Sequence, residues 1–278
     1  MDGTQDIFDA LDNVGLERIS APIPGFLSSG STLIDLAISD RVPGGFPIGR
    51  MSQIFGDFST GKSLLAMEIA RSIQDLGGKA VIAESEGAFN EARAEGIFGL
   101  ALDDLVVPVH TVEVLFGEII PSLAEESSKA DKPVCLIVDS LTALYSALED
   151  LKDINKREFS AKARQLSRGL EKIVSLCSQS GLTIIFVDQV RENIGASAFG
   201  KKTKPSGGRA LPFYVHTRIE LKHVGRIKTG ENITGVEIEC EVVKNRVAPP
   251  FRKVRARVLF DYGLDDIGSN LKWLKDHK

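Results

Sequence analysis

The sequence predicts an α/β protein with a mainly parallel central sheet flanked by helices. From about residue 31, short apolar runs alternate with stretches whose apolar side chains recur at helical spacing, which is typical of parallel βαβ units. Near the end of the chain, residues 235–244 and 254–260 are rich in β-branched side chains and lie close together. These two stretches predict an antiparallel pair of strands at the end of the sheet.

The individual elements follow from the apolar pattern along the chain. The predicted strands are 51–55, 80–83, 134–139, 182–188, 218–221, 235–244 and 254–260. The predicted helices are about 62–76, 88–97, 112–127 and 159–180. Pro121 is expected to kink or break the third of these helices, because proline lacks the backbone donor that a helix interior needs.

The domain organisation is predicted to be one core preceded by a short arm. Residues 6–19 place apolar side chains at helical spacing, and a linker rich in Pro, Gly and Ser follows them. We therefore expect residues 1–30 to form a short helix and linker, and residues 31–278 to form the core, with no separate C-terminal domain. Residues 190–209 show neither helical nor strand periodicity. A loop that long in a compact core is usually functional or disordered.

Composition narrows the class of protein. Hydrophobic residues at 43% and charged residues at 26% are ordinary values for a soluble globular protein. The chain has neither a signal peptide nor an apolar run near the ~20 residues that span a membrane, so a cytoplasmic location is expected. Cys135, Cys177 and Cys240 are far apart in apolar stretches, which favours buried reduced thiols over a metal site or disulfides. The net charge of −4 argues against coating nucleic acid with the whole surface, but it allows a local basic track.

The most specific motif is a phosphate-binding loop that follows the first predicted core strand and opens a helix. Glycines let backbone N–H groups approach phosphates, and the helix N-terminus adds a favourable dipole. The Lys62 ammonium neutralises the outer phosphates, and the Ser63 hydroxyl is a ligand for Mg²⁺. The residues expected to bind the nucleotide here are Gly56, Asp57, Phe58, Ser59, Thr60, Gly61, Lys62, Ser63 and Leu64.

Two further strands bring carboxylates to the same edge of the sheet. Asp139 ends an apolar strand, where a carboxylate can hold a Mg²⁺-bound water opposite Ser63. Glu84 and Glu86 end another strand, and their spacing of two makes both side chains face the same way. Hydrolysis of ATP needs a group that orients the attacking water, and spacing alone does not choose between these two glutamates.

Together these residues resemble the RecA family of recombinases, over about residues 26–271. The resembling stretches are SSGSTLIDLAI before the loop, then ESEGAFNEAR, IVDSLTAL, FVDQVRENIGASAFG, PSGGRALPFYVHTRIEL and VVKNRVAPPF. Several independent motifs in the family's order make this far more specific than a phosphate-binding loop alone. The fold implied is a RecA-like core that binds ATP and Mg²⁺.

The resemblance also implies roles for individual residues. Glu86 matches the residue that activates water, and Arg93 matches a packing partner of the adenine ring. Gln189 matches the sensor of the γ-phosphate, so Lys62, Glu86 and Gln189 are implied to carry the catalysis. Lys244 and Arg246 match a basic pair that reaches the ATP of the neighbouring subunit. Without the resemblance, these two residues would be interpreted as a solvated strand end.

The two DNA-binding loops of the family correspond to roughly 152–159 and 190–209. The second carries a local charge of about +4 among glycines, which suits a flexible grip on phosphates. An aromatic side chain there can stack on bases, or it can pack locally. One departure from the family is Glu171, which stands where the bacterial proteins have a basic residue. The residues expected to contact DNA are Lys156, Arg157, Phe159, Arg164, Arg168, Arg191, Phe199, Lys201, Lys202, Lys204, Gly207, Gly208 and Arg209.

The function implied by the resemblance is ATP-dependent homologous recombination and DNA repair. The expected partners are single-stranded and double-stranded DNA and further copies of the chain, assembled as a helical filament with ATP at the subunit interface. Residues 6–19 would then be an arm that docks on a neighbour. The alternatives are a recombination mediator without strand exchange and a KaiC-like or ring-forming ATPase on the same core.

Overall fold

A computed structural model describes residues 22–103, 105–147, 158–192, 203–205 and 210–277, with the backbone alone at 158–161, 190–192 and 203–205. The predicted arm at 6–19 therefore lies outside the described residues. Of the helices in the part of the chain that is described, none is long and apolar enough to cross a membrane.

The described chain alternates strands and helices, as the apolar pattern predicts. The strands are β1 (Phe26–Leu27), β2 (Phe46–Pro47), β3 (Met51–Gly56), β4 (Lys79–Glu84), β5 (Val106–Pro108), β6 (Val134–Asp139), β7 (Thr183–Glu192), β8 (Thr203–Pro205), β9 (Thr217–Thr229), β10 (Asn232–Asn245), β11 (Lys253–Leu259) and β12 (Gly263–Asp265). The helices are α1 (Thr32–Ser39), α2 (Lys62–Asp75), α3 (Glu91–Phe98), α4 (Val112–Val114), α5 (Ile120–Lys129), α6 (Glu158–Ser180), α7 (Ala210–Tyr214) and α8 (Asp266–Asp276).

One large sheet organises these elements in the order β12-β11-β10-β9-β3-β7-β6-β4-β5, and β8 pairs with β7. The strands from β9 to β5 are parallel to their neighbours. From β9 to β12, neighbouring strands are antiparallel. The α/β class, the mainly parallel sheet and the antiparallel strands near the C-terminus are thus confirmed. Strand β3 lies inside the sheet, and α2 crosses from it over β7 and β6 to reach β4.

The core has two layers because successive side chains of a buried strand point to opposite faces. On β6, Ile137 packs in the cluster that α1 and α2 cover, whereas Leu136 and Val138 pack in the cluster that α5 and α6 cover. All three cysteines are free and buried, as predicted. Both faces of the parallel strands are therefore dry, and the open positions are at the strand ends.

The predicted break at Pro121, one of the two outcomes expected there, does not occur. The helix continues through this region, and a π-helical turn (Leu115–Ile119) precedes α5. The backbone N–H of Ile120 bonds to Leu115 O, five residues back, and Pro121 follows in the first turn of α5. The proline thus marks a change of helix type instead of a break.

Candidate nucleotide-binding site

The loop after β3 is shaped by close backbone packing and by glycine. A Cβ at position 56 would lie 2.2 Å from the carbonyl oxygen of Leu221 on β9, so only glycine fits there. Gly61 has a φ of +85°, which turns the chain directly into α2 at Lys62. The first N–H groups of α2 therefore face the end of β3, where an anion can accept from them.

Lys62 is buried at the start of α2. Its ammonium donates to the carbonyl oxygen of Asp57 at 2.6 Å, across the loop. Burial lowers the pKa of Lys62, and the carboxylates of Asp139, Asp57 and Glu86 oppose this shift. A desolvated ammonium beside a ring of main-chain N–H groups is suited to an anion with several negative charges, such as a polyphosphate.

Ser63 and Asp139 bring two oxygen ligands together. The Ser63 hydroxyl donates to Asp139 Oδ2 at 2.8 Å, joining the first turn of α2 to the end of β6. Burial raises the pKa of Asp139, and the hydrogen bond from Ser63 opposes that shift. A hydroxyl and a carboxylate at contact distance form the donor set that Mg²⁺ prefers, so the residues present fit that ion.

Glu84 and Glu86, between which spacing alone did not choose, occupy different environments. The Glu84 carboxylate accepts the main-chain N–H groups of Glu86, Gly87 and Ala88 at 2.8–3.0 Å. The exposed Glu86 carboxylate instead accepts a hydrogen bond from Gln189 Nε2, which lies 3.3 Å from both of its oxygens. Glu84 therefore shapes the loop, and Glu86 faces the open end of the sheet beside Gln189.

A buried polar chain lies behind this edge of the sheet. Asp188 is fully buried and accepts hydrogen bonds from Gln53 at 2.6 Å and from Thr142 at 3.1 Å. Gln53 in turn accepts from Arg218 Nε at 2.6 Å, and the Arg218 guanidinium stacks 4.5 Å over the ring of Phe55. Burial raises the pKa of Asp188 to about 6. These hydrogen-bonded side chains link β7, β3 and β9 beneath the phosphate-binding loop.

The loop opens into a cleft of about 450 Å³ with an apolar wall that the sequence did not reveal. Val236, Val258 and Phe260, from the antiparallel strands and the turn after them, line this wall. Arg93 of α3 faces them, with its guanidinium 3.5 Å from the carbonyl oxygen of Phe260. An arginine and an aromatic ring across an apolar gap form a slot suited to a planar base. The one sequence signal for this wall was Phe260, an aromatic residue at the end of the predicted strand 254–260, and its side chain is 42% exposed.

Most of the predicted nucleotide and catalytic residues line this one cleft. Those lining it are Phe58, Ser59, Thr60, Gly61, Lys62, Ser63, Leu64, Glu86, Arg93, Asp139 and Gln189. Gly56 and Asp57, at the start of the loop, do not line the cleft, although the Asp57 carbonyl oxygen accepts from the Lys62 ammonium.

Lys244 and Arg246 lie elsewhere, at the far end of β10. The Lys244 ammonium donates to the carbonyl oxygens of Pro212 at 2.8 Å and Phe213 at 2.7 Å, at the end of α7. Burial, with Arg246 and Arg218 nearby, lowers the pKa of Lys244 to about 8. The pair does not line the cleft of its own chain.

Few of the residues predicted to contact DNA have described side chains. Arg164 and Arg168 are exposed on α6, and with Lys172 they recur every four residues, so they share one face of the helix. Those outside the described residues, or described by backbone alone, are Lys156, Arg157, Phe159, Arg191, Phe199, Lys201, Lys202, Lys204, Gly207, Gly208 and Arg209.

These features together define a P-loop nucleotide-binding protein. They are the loop shaped by glycine, the helix N-terminus, the buried lysine, and the serine–aspartate pair at the end of a parallel sheet. The family model of the RecA N-terminal domain matches residues 14–265, and the chain belongs to this family. Membership in it supports nucleotide binding at this cleft.

Individual relatives cover most of this chain and part of their own length. Protein RecA from Wolbachia pipientis subsp. Culex pipiens (strain wPip) is 35% identical, with 87% of this chain and 66% of that protein covered. Protein RecA from Desulfotalea psychrophila is 34% identical, with 87% and 66% covered. Protein RecA from Nitratiruptor sp. is 32% identical, with 93% and 72% covered. The chain thus spans about two thirds of the length of the first two of these relatives.

Proposed function

We propose that this chain is an ATP-dependent recombinase. It assembles as a filament on single-stranded DNA and promotes pairing and strand exchange with a duplex, and DNA stimulates its hydrolysis of ATP. The observation that carries the proposal is the convergence of Lys62, Ser63, Asp139, Glu86 and Gln189 from four segments of the chain on one cleft. These residue types at one sheet edge are the parts that positioning and hydrolysis of a nucleoside triphosphate need.

Each residue has a defined task in this proposal. The loop N–H groups and Lys62 bind the phosphates, and Ser63 and Asp139 hold Mg²⁺, which neutralises charge on the phosphate oxygens when bound. The Glu86 carboxylate orients a water and accepts its proton. Arg93 and Phe260 enclose the base. The cleft needs no rearrangement of the sheet for these tasks, because every side chain named already lines it.

Gln189 is the proposed link between nucleotide and DNA. Its amide contacts Glu86 in the cleft, and it stands in β7, which runs directly into the basic segment 190–209. A group that turns toward the γ-phosphate would pull on the strand that carries this segment. We propose that the segment binds the phosphates of single-stranded DNA, with Arg164 and Arg168 of α6 adding to the basic surface.

Completion of the active site by a neighbouring subunit is the remaining part of the proposal. Lys244 and Arg246 lie away from the cleft of their own chain, and their described contacts are to carbonyl oxygens of α7. No carboxylate is among the described contacts of these two cationic side chains, so they are suited to bind an anion supplied from outside the chain. A head-to-tail contact that brings them to the phosphates of the next subunit generates an open helical assembly, with the nucleotide between subunits.

The test is ATP hydrolysis with and without single-stranded DNA across a salt series. The proposal expects strong stimulation that falls steeply with salt, because each phosphate contact releases counterions. Strand exchange between a single strand and a homologous duplex is then measured at low salt. Hydrolysis that is indifferent to DNA would leave the nucleotide site intact and favour the mediator. Closed rings with ATP in electron micrographs would favour a ring-forming ATPase.

A further inference from the structure

Ser140, which has no task in the proposed function, lies in contact with Glu86. The Ser140 hydroxyl donates to Glu86 Oε1 at 2.6 Å, the shortest contact that the described structure gives this carboxylate. Ser140 directly follows Asp139 at the end of β6, and its exposed fraction is 1%. A buried hydroxyl at this distance from a carboxylate makes a strong, charge-assisted hydrogen bond.

Ser140 is held in place by a second serine. The Ser85 hydroxyl donates to Ser140 O at 2.8 Å, and the Ser140 N–H donates to Ser85 Oγ at 2.9 Å. The Ser85 N–H also donates to Asp139 O at 3.0 Å, which continues the pairing of β4 with β6 beyond the strand ends. These bonds fix the main chain of Ser140 and leave its hydroxyl free to give its single proton to Glu86.

We propose that Ser140 is a positioning residue for hydrolysis, acting through Glu86. A glutamate side chain has three rotatable bonds and Glu86 is exposed, so without a fixed donor its carboxylate would sample many orientations. The Ser140 hydroxyl holds one oxygen, and Gln189 approaches the carboxylate from β7. In the proposed mechanism, the other oxygen is then held toward the attacking water. This inference rests on the proposed function, because it assumes that Glu86 activates that water.

The first experiment separates turnover from binding. Ser140→Ala is expected to lower kcat about tenfold to a hundredfold, because the lost bond is to a charged group, whereas KM and the Mg²⁺ concentration at half-saturation change less than about twofold. The matched control is Ser52→Ala: Ser52 is a fully buried serine on β3 whose hydroxyl has no described partner, and its loss should leave kcat unchanged. A raised KM or Mg²⁺ requirement with kcat intact would overturn the proposal.

Two further variants test whether Ser140 acts through Glu86. Ser140→Cys keeps the shape and a weaker donor, so kcat should lie between those of the alanine variant and the wild type. It also keeps the test open if the alanine variant does not fold. Glu86→Asp draws the carboxylate back by one methylene, and in that background Ser140→Ala should cost less than about twofold. Full additivity of the two losses would overturn the proposal.

Failure of this inference is distinguishable from failure of the proposed function. If the wild-type chain hydrolyses no ATP, or if Glu86→Ala is as active as the wild type, the proposed function itself is wrong. If Glu86→Ala is inactive and Ser140→Ala matches the Ser52→Ala control, only the role of Ser140 is wrong.

Discussion

The carboxylate of Glu84, the last residue of β4, accepts a 3.0 Å hydrogen bond from the main-chain N–H of Glu86, two residues further along the chain. Two further N–H groups, from Gly87 and Ala88, complete this arrangement. Because one carboxylate organises the turn that presents the other, the pair divides into a residue that shapes the loop and a residue that faces the cleft.

This division predicts different phenotypes for two alanine substitutions. Glu84→Ala removes the acceptor of three N–H groups, so we expect the free energy of unfolding to fall by about 1–2 kcal/mol, with hydrolysis partly retained. Glu86→Ala removes no main-chain bond but leaves the buried Ser140 hydroxyl without its acceptor, so we expect stability to fall by about 1 kcal/mol and hydrolysis to fall about a hundredfold or more. Urea unfolding and steady-state ATPase rates measure both. Equal effects of the two variants on both measurements would contradict this division of roles.

Lys62 is expected to be indispensable for nucleotide binding or turnover. Its ammonium is buried in the loop, where its main described bond is to the carbonyl of Asp57, and a polyphosphate is a stronger acceptor. Lys62→Ala should therefore abolish binding of a fluorescent ATP analogue, or hydrolysis, or both. The control is Lys129→Ala, because Lys129 is an exposed helix lysine paired only with Glu125 among its described contacts. A wild-type hydrolysis rate in Lys62→Ala would refute the assignment of this loop.

Much of the fold was predictable because the parallel strands are buried on both faces and read as continuous apolar runs. Strand β6 was predicted to the residue, and β3 and β4 to within one residue at either end. Helices α1, α7 and α8 were missed. α1 has only eight residues, and α8 exposes apolar side chains such as Ile267 and Leu271, which blurs its helical pattern.

The site was predictable in its parts and not in its assembly. The loop at 56–63 and Asp139 carry local signals, since glycine spacing and a strand-ending carboxylate are visible in one stretch of chain. The choice between Glu84 and Glu86 depends on a turn at Gly87, with a φ of +68°, that spacing does not encode. The wall formed by Val236 and Val258 depends on the register of β10 against β11, where these two residues face each other.

Asp35, on α1 and outside the cleft, is expected to make the free energy of unfolding depend on pH. Burial raises the pKa of Asp35 from its ordinary value of 3.8 to about 6, although Ser28 and Ser29 donate hydrogen bonds to it. The folded state therefore binds the proton more tightly than the unfolded state, so the contribution of Asp35 to stability grows as pH falls from 7 toward 4.

The comparison that isolates this effect is with Asp35→Asn, which has no titrating group at the same position. The free energy of unfolding of the wild type, minus that of the variant, should rise by about 1 kcal/mol between pH 7 and pH 5. Urea titrations at both pH values give the difference. A difference that stays constant, or that falls as pH falls, would be incompatible with a raised pKa.

The position of Lys244 predicts that two inactive variants restore activity to each other. Lys244→Ala keeps an intact cleft but lacks the proposed contact to a neighbour, whereas Lys62→Ala has a defective cleft and keeps that contact. In a random equal mixture that assembles head to tail, half the clefts are intact, and half of their neighbours supply Lys244. About a quarter of wild-type activity should therefore return.

The control for this recovery is a mixture of Lys62→Ala with the double variant Lys62→Ala/Lys244→Ala, in which no subunit has an intact cleft and no activity should return. Assembly of every mixture is checked by electron microscopy, because Lys244 also bonds to the carbonyls of Pro212 and Phe213, and its loss can loosen α7. If all mixtures assemble and the complementary pair stays inactive, Lys244 acts within its own chain. The active site would then be complete in each subunit, and assembly would have to control hydrolysis by some contact other than this lysine.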